Sequence, residues 1–251
     1  MFRTKPKVDS AKATLQLAIA TAFAALVCIA TLALTVSVPA TTGYFNVGET
    51  VIYVAALLFG PFVGAFAGGV GAAIADMLVA PQFAPGTFIT KSLEGAIVGF
   101  LSKKLLAQTA KSKWKIFTAI LGVVVGMLLA ATGAIYYSGN VDLYVGYPQP
   151  QSPTLSGFVP AELWYFLGGA VALLIVFAGF RVEPEVGCSV FSMLVGGLEM
   201  VAGYFLYEQF ILSKPAAIVE IPVNIGQMLV GLIVAIPIVK IVLNSLPQLK
   251  S

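Results

Sequence analysis

The run Thr14–Val36, TLQLAIATAFAALVCIATLALTV, decides the fold, because 23 residues pass without one charge. A helix needs roughly 20 apolar residues to cross a hydrocarbon core about 30 Å thick. Arg3, Lys5, Lys7 and Lys12 precede the run, an arrangement superficially like a secretory signal. A signal's apolar region covers only about 7–15 residues and ends at a small-residue cleavage site. This run is longer, so it reads as a retained membrane helix.

The rest of the chain agrees. Of 251 residues, 59% are hydrophobic and only 10% charged, against about 25% charged in soluble domains. A soluble reading fails on that ground. There is no His, which removes imidazole catalysis and most zinc sites. The net charge of +3 is too small for a nucleic-acid binder. Cys28 and Cys188 lie in or beside apolar segments without CxxC spacing, so they form neither a disulfide framework nor a metal knuckle. No phosphate loop, nucleophile elbow, HExxH or dinucleotide fingerprint appears, so no cofactor is expected and the chain cannot drive transport with ATP by itself.

The expected fold is all-α: a polytopic transmembrane bundle of about eight helices in a single domain. After the first span the chain breaks at Pro39–Gly43. Val51–Phe59 and Phe62–Val79 follow, joined at Gly60-Pro61, which ends one helix and reverses the chain. A Pro-bearing loop, 80–86, leads to Thr87–Leu106, and Ala107–Lys115 lies outside the membrane. Ile116–Tyr137 is a fifth span. The stretch Ser138–Pro160 is a long polar loop rich in Gly, Pro, Ser and Tyr. Leu163–Phe180, Cys188–Leu212 and Ile221–Leu243 complete the count.

Basic residues test that count. With both termini in the cytoplasm, eight spans leave only Lys91 and Lys214 of the fourteen Lys and Arg off the cytoplasmic side. Cytoplasmic loops are the ones enriched in these residues, so N-in and C-in is expected.

Charges inside spans are costly and mark functional candidates. The third span carries Asp76 near its outer end. The fourth places Thr87, Lys91 and Glu94 on one face by steps of four and three. The seventh brings Tyr204 and Glu208 to the same level, with Glu199 deeper, and the eighth presents Glu220, Asn224 and Gln227 on one face. The first outer loop adds Tyr44, Asn46 and Glu49. Polar groups thus gather in the outer half over an apolar inner half, the pattern of a pocket rather than a conduction path. Structural readings stand beside this one: Lys91 paired with Glu94 or Asp76, Glu208 and Glu220 solvated at headgroup level, and amides bonding between helices. Gly64, Gly68 and Ala72 at four-residue spacing suit internal helix packing.

Several motifs resemble one family. They are Gly43-Tyr44-Phe45-Asn46-Val47-Gly48-Glu49, Ala55–Gly64, Gly68–Gly71 with Ala75-Asp76, Phe83–Thr87, Lys91-Ser92-Leu93-Glu94-Gly95, Ala202–Phe205 and Glu220–Gln227. Together they are similar to the substrate-binding S components of energy-coupling-factor (ECF) vitamin transporters, the riboflavin and hydroxymethylpyrimidine-type group above all. The likeness covers core segments 14–106 and 188–245. S components have six helices, so a helical hairpin at about 116–180 reads as an insertion. Many members carry Asp where Glu49 stands.

The resemblance implies a binding subunit in a prokaryotic cell membrane that captures a vitamin from outside, riboflavin or a pyrimidine- or pyridoxine-like compound. It implies docking on a transmembrane coupling subunit that carries two ATPases. The expected substrate set, read from the outer polar cluster, is Tyr44, Asn46, Glu49, Asp76, Phe83, Thr87, Lys91, Glu94, Tyr204, Glu208, Glu220, Asn224 and Gln227. It assigns docking to Ala18, Ala22 and Ala24 on the first helix, where Ala18-x-x-x-Ala22 and Ala20-x-x-x-Ala24 form small-residue faces. The competing reading is a stand-alone secondary transporter or channel.

Overall fold

A computed structural model describes residues 10–106, 113–181, 184–213 and 215–250. Arg3, Lys5, Lys7, Lys111 and Lys214 lie outside them, as does most of the external segment 107–115. The described residues form eight α-helices: α1 (Ser10–Ala33), α2 (Gly48–Phe59), α3 (Pro61–Val79), α4 (Ala84–Leu106), α5 (Lys113–Tyr136), α6 (Ala161–Arg181), α7 (Pro184–Leu206) and α8 (Glu220–Ser245). The helical bundle is as expected. Its exterior is greasy, with Leu17, Ile29, Phe117, Leu173, Phe177 and Ile241 all well exposed. An apolar surface on that scale is made for lipid. The protein is a multi-pass membrane protein.

Five of the described helices are long and apolar enough to span on their own, while α2 and α4 are not. α2 has 12 residues, about 18 Å of rise. It sits inside, packed on α1, α3, α4 and α8, and buries Ile52, Tyr53 and Leu58. α4 carries Lys91, Glu94, Lys103 and Lys104. Its two mid-helix charges are buried in ion pairs, so neighbouring helices rather than lipid satisfy them.

Gly60 sits at φ +89°, ending α2 and starting α3, with Pro61 in the first helical turn. Only glycine takes that backbone angle cheaply, and proline suits a helix start. α3 then lies very close to α4. A Cβ on Gly64 would come within 2.7 Å of the Gly95 carbonyl oxygen and of the Ala56 Cβ. The small-residue stripe of α3 therefore serves internal packing.

The sequence reading missed a sheet at one end of the bundle. β1 (Val36–Val38), β2 (Gly43–Phe45), β3 (Gly139–Val145) and β4 (Leu155–Val159) form an antiparallel sheet in the order β2-β1-β3-β4. The stretch expected as a long polar loop supplies β3 and β4. Its Val141, Leu143 and Val145 alternate with Asn140, Asp142 and Tyr144, which is strand periodicity. Val36 pairs with Val145 and Ser37 with Tyr144, tying the α5–α6 hairpin to the loop after α1. Two further bonds fasten the β3–β4 tip: Gly146 N–H to the Thr35 carbonyl at 2.8 Å and the Tyr147 hydroxyl to the Leu78 carbonyl at 2.7 Å.

The alanine faces of α1 divide. Ala20 and Ala24 are buried, with Ala24 backing onto Gly71 of α3. Ala18 and Ala22 are exposed. Assigning Ala24 to an outward docking face is therefore corrected. Successive alanines two residues apart point to opposite sides of a helix, and α3 takes the inner one.

Candidate functional site

One end of the bundle is where α3 finishes, α4 begins, α7 finishes and α8 begins. The sequence places polar groups at those four termini. Asn46 accepts the Gly48 N–H at 2.9 Å, a local side-chain turn that opens α2 with Glu49 in its first turn. After α7 the chain widens into a π-helical turn, Tyr207–Ile211, in which Glu208 is buried. Irregular turns of this kind re-aim side chains at sites.

One cavity gathers nine of the thirteen residues singled out: Tyr44, Asn46, Asp76, Phe83, Tyr204, Glu208, Glu220, Asn224 and Gln227. The other four adjoin it. Thr87 donates to Asp76 and lies 2.8 Å from the Tyr204 hydroxyl. Lys91, a turn further along α4, lies 5.3 Å from the Tyr204 ring centre and pairs with Glu49 and, at 3.3 Å, with Glu94. The Tyr53 hydroxyl closes the cluster by donating to Glu94 at 2.8 Å.

The polar groups form two linked sets. Tyr44 and Thr87 each donate to one oxygen of Asp76, so β2, α3 and α4 meet at one carboxylate, and Tyr204 of α7 joins through Thr87. Burial, and then the neighbouring Asp76 carboxylate, push the Tyr44 phenol well above its ordinary pKa, so it remains a donor. In the second set, Asn46 N–H donates to Gln227 at 3.2 Å, Gln227 donates to Asn224 at 2.8 Å, and Thr41 donates to Glu220. The loop after α1 is thus pinned to α3 on one side and α8 on the other.

Three bland readings now have answers. Lys91 does not form an ion pair with Asp76; it serves Glu49 and Glu94. Glu208 and Glu220 are not solvated, being 1% and 3% exposed. Asn224 and Gln227 bond to each other within α8, Gln227 also accepts from the loop after α1, and both line the cavity. Sequence reading missed Thr41 and Tyr53. Tyr53 follows Glu49 by four residues, the same face-sharing step that picked out the α4 residues. Thr41 gave no such signal, because its partner is 179 positions away.

The cavity holds about 30 Å³, room for about one water. Its walls combine aromatic rings with hydroxyl, amide and carboxylate groups, the makings of a site for a planar polar molecule. A heterocycle enters only when a wall moves, and the pinned loop carrying Tyr44 is one such wall.

The fold and site define a multi-span membrane protein with a buried polar pocket at one end of its bundle. A model of the ECF-type riboflavin transporter S component family matches residues 10–181 and 152–244. The chain belongs to that family. It is also 47% identical over 77 residues to a protein of Pyrococcus woesei described only as an uncharacterized protein in a gap 3′ region. That match covers 31% of this chain and 52% of the relative, so the chain spans about half of the relative's length.

Proposed function

We propose that this protein is the substrate-binding subunit of an ATP-driven ECF importer. It captures riboflavin, or a related pyrimidine- or pyridoxine-like heterocycle, from outside the cell. The thirteen residues from Tyr44 to Gln227 are its binding set, with Glu49, Lys91 and Glu94 setting the floor. Both termini are cytoplasmic, and α5–α6 is an insertion into a six-helix core. The exposed Ala18 and Ala22 of α1 face the coupling subunit, which carries two ATPases.

The observation that carries this reading is the convergence of polar side chains from β2, α3, α7 and α8 on one cavity in a chain of this family. Lys103, Lys104, Lys115 and Lys240 lie towards the opposite helix ends, which supports the assigned orientation. The test is titration of purified protein with riboflavin, read by quenching of flavin fluorescence, then uptake into vesicles with and without a coupling module. Saturable one-to-one quenching and uptake only with the module and ATP are expected. Uptake by this chain alone, driven by an ion gradient, would instead establish a secondary transporter.

A further inference from the structure

A second cavity, about 170 Å³, lies immediately outside the first. Gly43 and Tyr44 belong to the walls of both, so Tyr44 is the partition between them. The sizes differ in kind. An internal space of about 150 Å³ accepts a six-membered ring, whereas about 30 Å³ accepts a water. The outer space therefore admits a ring while the inner one is still closed.

Its chemistry is distinct too. Thr35, Ser37, Thr42, Gln82, Tyr147 and Gln149 present hydroxyls and amides, and no charged residue lines it among the described residues. The inner cavity has Asp76, Glu208 and Glu220. Gln82 donates to Thr42 at 3.1 Å, joining the α3–α4 loop to the loop after α1. The remaining wall is the β3–β4 tip, held by its bonds to Thr35 and Leu78. The α5–α6 hairpin thus reaches across the bundle end to build part of this space.

Resting on the function proposed above, we propose that the outer cavity is an entry subsite. It receives an uncharged heterocycle bearing hydroxyl or amide groups, which seats there before Tyr44 yields. Residues 146–149 of the β3–β4 tip are its outer wall. The ligand leaves by the same route.

Blocking a route raises the barrier equally in both directions, so both rates fall while affinity holds. Damage to the final pocket changes affinity. Ser37→Trp and Gln149→Trp fill the outer space from opposite walls, and Gln149 is exposed, so its substitution spares the fold. Riboflavin is the probe, followed by stopped-flow fluorescence on the full chain. Both variants should associate and dissociate about tenfold more slowly, with Kd unchanged within about twofold. An association rate unchanged in both variants overturns the entry subsite while leaving the inner pocket intact. Absence of riboflavin quenching in the unaltered protein overturns riboflavin as the ligand, and a riboflavin entry subsite with it.

Discussion

Tyr44 on β2 donates its phenolic hydrogen to Asp76 near the end of α3, and this bond latches the loop after α1 over the cavity. The same carboxylate takes the Thr87 hydroxyl, so the latch closes on a residue already fixed by α4. A hydrogen bond to a charged acceptor is worth about 1.5–3 kcal/mol. Tyr44→Phe keeps the ring and removes the donor. Flavin release, followed after dilution, should quicken about tenfold or more, since about 1.4 kcal/mol is a factor of ten in rate.

Lys91 is a second fixed point. It is 3% exposed and serves two buried carboxylates, so Lys91→Met strands both of them. Breaking a buried pair from one side costs about 3–5 kcal/mol. Thermal unfolding in detergent should show a large fall in melting temperature. Adding Glu49→Gln to Lys91→Met should recover part of it, because one stranded charge is gone.

Gly95 and Gly169 predict opposite outcomes for the same substitution. A Cβ on Gly95 would press into the α3 backbone, 2.9 Å from the Ala65 nitrogen, while one on Gly169 meets nothing within 4 Å. Gly95→Ala should destabilise by about 1–3 kcal/mol through overpacking. Gly169→Ala should be neutral or stabilise by up to about 1 kcal/mol, as alanine favours helix over glycine. Paired melting curves decide it.

The split alanine faces of α1 give a test of docking. Ala18→Trp and Ala22→Trp should leave riboflavin affinity unchanged and sharply reduce uptake with a coupling module. Ala24→Trp should lower the melting temperature of the isolated protein, since that side chain is 5% exposed. Unchanged uptake in both Ala18→Trp and Ala22→Trp would remove α1 from the docking surface.

Much of this was legible in the sequence, for physical reasons. A span must be apolar for its whole length, so runs such as Thr14–Val36 announce their helices. A buried charge must have partners, so Asp76, Lys91, Glu94 and Glu220 stood out by their cost. Helical spacing then put Thr87, Lys91 and Glu94 on one face. Pairings between distant segments left no local trace. Spacing pointed to Glu94 or Asp76 as the partner of Lys91, whereas Glu49, 42 positions away, makes an ion pair with it alongside Glu94. The β3–β4 hairpin was hidden by its Gly, Pro and Ser content, which resembles a loop until β1 supplies a strand to pair with. Ala24 looked like Ala18 and Ala22 because a small-residue face reads the same against a partner helix as against a neighbour in the same chain.

Asn224 bears most directly on the central claim that the cavity under Tyr44 is the ligand site. Its side chain lines that cavity and accepts one bond from Gln227, so Asn224→Ala removes a cavity-facing amide with little disturbance to α8. The decisive measurement is mass spectrometry of small molecules released from purified protein grown with vitamins, with the variant as reference. A heterocycle released near one per chain from the unaltered protein, and strongly depleted from Asn224→Ala at an unchanged melting temperature, is the predicted result. No released heterocycle, or the same amount from both proteins, would contradict it.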